Sequence, residues 1–318
     1  MKLARYVGEG RISIEEELEP TLPPGGLLVR TEASGLCSGE LMEWYMERKI
    51  PHVLGHEVSG IVAASDDDRF PVGSRVAPHH HAPCGTCDFC RTGRPVHCET
   101  WKRTKLVPGG MAERFAVAAE NLADTHRVDK LRPQDAALIE PLGCVAKSLH
   151  RIGATEGKVA VIGLGTMGLM HMLALGDRAF GIEISPTRLD WAKKLGLNVG
   201  PEGDSDGFDA VIVCPGTPTA LDSAFRLATP GAVVTLFAPL APGEEAKIPW
   251  DRLYFKEISL VPSYSCGPED TAQALRWIED GTVRAEQVVS HFIGISELPK
   301  AYVAMKRGEI LKAMVMFD

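Results

Sequence analysis

The stretch Val159-Ala160-Val161-Ile162-Gly163-Leu164-Gly165-Thr166-Met167-Gly168 decides the fold. Four apolar residues read as a buried strand, a G-x-G-x-x-G turn follows, and a Met- and Leu-rich segment continues as a helix. Each glycine has a physical job. Gly163 permits the tight turn, Gly165 lets a pyrophosphate approach the backbone, and Gly168 allows the helix to pack closely on the strand. The helix N-terminus adds partial positive charge, so the whole turn, Leu164, Thr166 and Met167 included, is a candidate cofactor cradle. The motif alone is weak; its strand before and helix after distinguish it from a glycine-rich turn of another α/β protein. Glu183 ends the next strand, twenty residues after Gly163. An acidic side chain there can accept both ribose hydroxyls and repel a 2′-phosphate, which favours NAD over NADP. Arg188 is near enough to blur that preference, and is otherwise read as stacking near the adenine or as simply exposed.

Working outward, the chain alternates strands and helices. Strands are expected over Ala179 to Ile184, Asp209 to Val213 and Ala232 to Phe237, with helices over Pro186 to Leu195 and Thr219 to Leu227. This order predicts an α/β fold, a doubly wound parallel sheet with helices on both faces. Ala136 to Arg151 carries a helical pattern that Pro141 interrupts, and Glu269 to Glu279 and Glu297 to Arg307 read as amphipathic helices. The residues up to about Ala119 differ in texture. Leu27 to Thr31, Gly60 to Ala63 and Ser74 to Ala77 are short strands set off by Gly and Pro, the pattern of an irregular, mostly β domain.

With 318 residues, 45% apolar and 24% charged, the chain suits two globular domains. Its net charge of −8 repels phosphate backbones and argues against general nucleic-acid binding. No apolar run approaches the roughly 20 residues of a membrane helix. No apolar segment follows the basic start to make a signal peptide, so the expected compartment is the cytoplasm. In a reducing compartment clustered cysteines are metal ligands before they are disulfides.

Cys84, Cys87, Cys90 and Cys98 follow the pattern C-x2-C-x2-C-x7-C. Four thiolates can surround one zinc tetrahedrally, and with every position filled such a site is structural. An iron–sulfur cluster fits less well, because no Pro follows the last cysteine. A second set, Cys37 with His56 and Glu57, and Glu140 opening Glu140-Pro141-Leu142, offers a thiolate, an imidazole and carboxylates. Three such ligands with a fourth position open can bind an alcohol oxygen on zinc and lower its pKa. By residue type alone these are as easily core residues.

Gly55-His56-Glu57, the four-cysteine loop, Glu140-Pro141-Leu142 and the Gly163–Gly168 turn, in this order, resemble the zinc-containing medium-chain dehydrogenases, the polyol, threonine and alcohol dehydrogenases. The resemblance covers nearly the whole chain. It implies a GroES-like irregular β-barrel catalytic domain over residues 1–145, completed by about 286–318. A Rossmann domain would occupy 146–285, with the active site in the cleft between them. It implies that Cys37, His56 and Glu140 are catalytic zinc ligands, with Glu57 an exchangeable fourth, and that Glu140 follows the polyol and threonine branches. Cys214-Pro215-Gly216, Ala238-Pro239 and Ser263-Tyr264 fall where the family meets the nicotinamide half. It further implies dimers or tetramers joined through the edge of the Rossmann sheet, near Ile258 to Val261.

The chain departs from the family at Gly39 and Met42, where a hydroxyl and often a histidine relay the proton; Ser38 is the neighbouring hydroxyl. Glu40 stands where the family has Asp and is read as structural. Only fifteen positions separate Gly168 from Glu183, so the first Rossmann helix is expected to be short, and Gly196 to Asp209 looks too short for a full helix. Three adjacent histidines, His79 to His81, cannot all face one ion, although one could line the substrate cleft. Trp44 and Tyr45 could wall the pocket or simply pack. Cys144, Cys214 and Cys266 are read as packed or incidental, and His150 and His171 as ordinary helix histidines. The expected activity is hydride transfer between a secondary alcohol, polyol or sugar-like substrate and NAD, with two zinc ions per chain. Its rivals are a zinc- and NAD-binding homologue without turnover, and a reductase of activated double bonds.

Overall fold

In the computed structural model, which describes residues 1–153, 156–203 and 207–318, Val159–Ile162 is an inner strand of a parallel sheet. Among the described residues the sheet runs Val199–Gly200, Ala179–Ile182, Val159–Ile162, Phe208–Val213, Ala228–Leu236, Ser259–Pro262. Every residue of Val159–Ile162 is buried, which explains the unbroken apolar run: helices cover both faces, so no polar alternation survives. Strand order reverses between Val159–Ile162 and Phe208–Val213, whose carboxyl ends carry Gly163 and Cys214. Ligands bind at such a switch point. Helix Pro218–Leu227 sets Leu221, Ala224 and Phe225 against Phe208, Val211 and Ile258 to build the core.

The glycine turn needs its glycines. Gly163 has φ 84°, a region L side chains avoid. A Cβ on Gly168 would collide with the Gly163 carbonyl oxygen, backbone that cannot yield. Gly168→Ala should therefore cost about 1–3 kcal/mol of stability and weaken dinucleotide binding. Urea unfolding and quenching of reduced-cofactor fluorescence measure the two, and an unchanged midpoint would contradict the packing argument.

The chain divides into two units. One is Cys144–Ser265, the other Met1–Gly143 with Cys266–Asp318. The first crossing lies inside helix Ile139–Ile152, which Pro141 does not interrupt, since a missing N–H costs nothing in a helix's first turn. The return comes at Cys266, earlier than the expected boundary near residue 286. Helix Pro268–Glu279 packs instead in the unit Met1–Gly143 with Cys266–Asp318, through Thr271 to Asp124 (2.5 Å) and the Trp101 indole N–H to the Cys266 carbonyl (3.3 Å). The helix after the glycine turn is short, Thr166–Leu175. In Gly196 to Asp209 the described part holds the two-residue strand Val199–Gly200, and residues 204–206 lie outside the described residues.

The β unit is organised around Leu27–Gly35, which pairs antiparallel with Glu57–Ser65, Arg114–Val117 and Ala313–Met316. Its register sets Gly35 opposite Glu57. Cys37 lies two residues beyond one strand and His56 one residue before the other, so the antiparallel ladder itself brings them together. Among the described residues, no helix is long and apolar enough to cross a membrane.

Candidate metal centres and dinucleotide turn

Cys84, Cys87, Cys90 and Cys98 converge, with all four sulfurs within 4.8 Å of one another. Cys87 and Cys90 sulfurs are 3.5 Å apart and those of Cys84 and Cys90 4.0 Å. Zinc with Zn–S near 2.3 Å places sulfurs about 3.8 Å apart at tetrahedral vertices, so the set fits that ion. The loop prepares the sulfurs with backbone donors. Thr86 N–H and Cys87 N–H point at the Cys84 sulfur (3.4 and 3.3 Å), and Cys84 N–H at that of Cys98 (3.4 Å). Donation by Thr86 leads the causes that bring the Cys84 thiol down to about 5. Cys98 is anchored among Val96 and Trp101.

A second cluster gathers Cys37, His56 and Glu57, again within 4.8 Å. Glu40, buried in the turn Ser38–Leu41, orients it. Its carboxylate accepts from Gly55 N–H (2.8 Å) and Cys37 N–H (3.3 Å) and lies 3.3 Å from His56 Nδ1. That contact assigns the Nδ1 proton toward Glu40 and leaves Nε2 for a metal, the carboxylate–histidine arrangement of ligating imidazoles. Burial works against a charged His56, but the Cys37 and Glu40 charges outweigh it and hold the imidazole well above its ordinary range. Burial raises the Cys37 thiol, partly offset by His56. Thiolate, imidazole and carboxylate form a donor set suited to zinc with one coordination position left for substrate.

Glu57 is buried, and its Oε2 lies 2.5 Å from Lys312 Nζ. Lys312, itself 1% exposed, also donates to the Leu36 carbonyl at 3.0 Å. No signal near the glycine, histidine or cysteine motifs pointed to this lysine, six residues from the last, because only the strand Ala313–Met316 carries it beside Gly35. Glu140 is buried, and burial raises its carboxyl. Its carboxylate groups with His79 and Cys266 within 4.8 Å, and Oε1 is 4.0 Å from His80 Nδ1. Ser38 is exposed.

The three adjacent histidines part company, as their neighbouring positions on one chain require. His79 turns to Asp124, 2.7 Å from its Nδ1. His80 packs its ring 4.7 Å from that of His56, and desolvation holds it well below the usual range. His81 lies 4.0 Å from the Trp101 ring and 2.8 Å from the Thr104 carbonyl, and burial brings it to about 4. Trp44 and Tyr45 stack edge to face, and Lys49 lies over the Tyr45 ring.

In the parallel-sheet unit Glu183 is 5% exposed and caps the glycine turn from within. One carboxylate oxygen accepts Leu164 N–H (2.8 Å) and the other the N–H groups of Ile184 and Ser185 (2.8 Å each). Arg188 stands 3.7 Å away, partly exposed. Pro215 packs where a Gly163 side chain would go, and Gly216 packs against Pro239. Cys214, beside them, has its thiol pushed up to about 12 by burial. Ala238 is half-buried, and Ser263, buried, donates its N–H to Leu236 at 2.9 Å. His171 is wholly buried, its Nδ1 2.7 Å from the Met167 carbonyl and its ring edge-on to Phe237.

A ring of four cysteines, a thiolate–imidazole–carboxylate cluster and a glycine turn after an inner parallel strand are together the features expected of a zinc-binding dehydrogenase. Sequence comparison agrees: residues 23–127 match the alcohol dehydrogenase GroES-like domain and residues 163–280 the zinc-binding dehydrogenase family. The chain belongs to the zinc-containing medium-chain dehydrogenases, oxidoreductases acting on CH–OH groups. It is 33% identical to D-altritol 5-dehydrogenase of Agrobacterium fabrum, covering 94% of each chain. It is 28% identical to sorbitol dehydrogenase of Halalkalibacterium halodurans, covering 97% of this chain and 96% of that one. An alcohol dehydrogenase from Thermus sp. ATN1 superposes with TM-score 0.87 at 25% identity over the whole of both chains.

Proposed function

We propose that the protein oxidises a secondary hydroxyl of an acyclic polyol or related sugar alcohol with NAD, or reduces the corresponding ketone, using one catalytic and one structural zinc per chain. The observation that carries this is the Cys37–His56 pair, set by strand register and oriented by Glu40. Cys37 and His56 would hold the catalytic ion with Glu57, whose carboxylate lies within 4.8 Å of both ligand atoms, as the carboxylate ligand, or with Glu140, as the family resemblance implies. Bound there, zinc would supply Lewis acidity toward the substrate hydroxyl, and a nicotinamide coenzyme would supply the hydride acceptor. Glu40 keeps His56 Nε2 aimed at the ion, while Lys312 holds Glu57 in place. Gly163 to Gly168 cradle the pyrophosphate, and Glu183 at the strand end favours NAD over its 2′-phosphorylated counterpart. Pro215, Gly216, Ala238 and Ser263 shape the nicotinamide half. The likeness to altritol and sorbitol dehydrogenases supports polyols as substrates.

We further infer a cytoplasmic homodimer or homotetramer joined at the sheet edge Ser259–Pro262, beside which Trp250, Tyr254 and Phe255 stand exposed. Gly39 and Met42 favour a second reading, a homologue that binds zinc and NAD without turnover. A panel of hexitols, pentitols and simple alcohols with NAD and NADP, followed by reduced-cofactor absorbance, separates the two. Turnover is expected with polyols and NAD. Silence across the panel from protein that still binds zinc and cofactor would establish the second reading.

A further inference from the structure

We propose that the substrate carries an anionic group, a phosphate monoester or a carboxylate, on its polyol chain, and that Lys49 and Lys105 receive it beside the row of rings that begins at His56. The inference rests on the polyol reading above and narrows it.

Four rings follow one another from His56. The centroids of His56 and His80 are 4.7 Å apart, those of His80 and His81 4.1 Å, and those of His81 and Trp101 4.0 Å. Lysines flank this row from separate segments. Lys105 follows Thr104, which the row itself holds: His81 Nδ1 lies 2.8 Å from the Thr104 carbonyl oxygen, and Ala82 N–H donates to the Thr104 hydroxyl at 2.9 Å. Lys49 ends the turn Glu47–Lys49, shortly before His52, whose strand pairs with Tyr6. Its Nζ stands 3.9 Å from the centre of the Tyr45 ring, which steadies the ammonium over an aromatic face. Burial is the first cause that lowers His52, His80 and His81; the Lys49 charge lowers all three further, and Lys105 adds to the effect on His52. A charge felt by three imidazoles at once stands beside them, because the interaction falls with distance.

These lysines lack a carboxylate. Both are exposed, and among the described residues neither forms an ion pair. The acids of the adjoining turns are engaged elsewhere. Glu40 is committed to Gly55 N–H and His56, Glu43 pairs with Lys306, and Glu47 accepts from the Tyr6 hydroxyl and Glu9 N–H (2.7 Å each). The chain as a whole carries 42 acidic against 34 basic side chains. Such a field repels an anionic substrate except where basic groups stand uncompensated. A phosphate or carboxylate arriving there meets two ammonium groups as charge-assisted hydrogen-bond donors.

The test is binding of sorbitol, sorbitol 6-phosphate and gluconate to the zinc-loaded full chain by isothermal titration calorimetry, with NADH present so that no hydride moves. At least one charged ligand is expected to bind about tenfold tighter than sorbitol, the scale of two partly exposed ion pairs, and the two charged arms tell phosphate from carboxylate. Added salt should shrink that advantage. Lys49→Met with Lys105→Met should bring it to about threefold or less; both side chains are exposed, so the double variant keeps its fold, which circular dichroism checks. Sorbitol binding as tightly as both charged ligands, or an advantage that survives in the double variant, overturns the proposal. Turnover assays separate it from the reading it rests on. Sorbitol oxidised as efficiently as either charged analogue would sink the anion site and leave the polyol dehydrogenase standing. No turnover with any of the three, together with charge-selective binding that needs both lysines, would sink the dehydrogenase and leave the anion site standing.

Discussion

Cys37→Ala should reduce turnover on the best polyol by on the order of 10³-fold or more while leaving the fold intact. Lewis-acid stabilisation of developing charge is worth several kcal/mol, and each 1.4 kcal/mol is a factor of ten in rate. Cys37 is half-buried and lies at a turn beyond the strand Leu27–Gly35, so removing its sulfur opens little core. Its backbone N–H and that of Gly55 stay bonded to Glu40. The variant should therefore melt close to wild type and still bind the dinucleotide, because the glycine turn belongs to the other unit. Zinc content should fall by one ion per chain. A variant that kept more than a tenth of wild-type turnover would remove Cys37 from the chemistry.

Lys312→Ala should destabilise the protein by about 3–5 kcal/mol. Ion pairs at surfaces are worth little, but Lys312 and Glu57 are 1% exposed each, and removing one partner leaves a buried charge uncompensated. The substitution also strips the Leu36 carbonyl of its donor. Replacing both members should behave differently. Lys312→Met with Glu57→Gln keeps the volume and removes both charges, so the pair of changes should cost much less than the sum of the singles. Urea unfolding of the metal-stripped chain measures wild type, Lys312→Ala, the singles Lys312→Met and Glu57→Gln, and their double. Zinc should shrink the deficit of Lys312→Ala, because the cation offers Glu57 a replacement for the lost ammonium. A single variant within 1 kcal/mol of wild type would mean that water or another group already solvates Glu57.

The sequence made some of this legible because the chemistry is local. Gly163 to Gly168 and the four cysteines sit within single turns, where spacing along the chain fixes spacing in space. Cys37 and His56 were legible only through the family resemblance; the physical reason they meet is strand register, which single-sequence patterns do not reveal. Lys312, Glu40 as the orienting carboxylate and the His79–Asp124 pair are contacts between distant segments, and their residue types are as common on surfaces. The boundary at Cys266 was missed because an amphipathic helix such as Pro268–Glu279 carries a stripe but no mark of which unit it will cover.

The Glu183 carboxylate has a consequence for anyone wishing to alter the coenzyme this chain accepts. The customary first move, neutralising the acid at the end of the second strand, would here strip three amides of their acceptor at once. Redesign toward a phosphorylated coenzyme should begin at the partly exposed Arg188 and at Ser185, and retain the acid as a structural fastener.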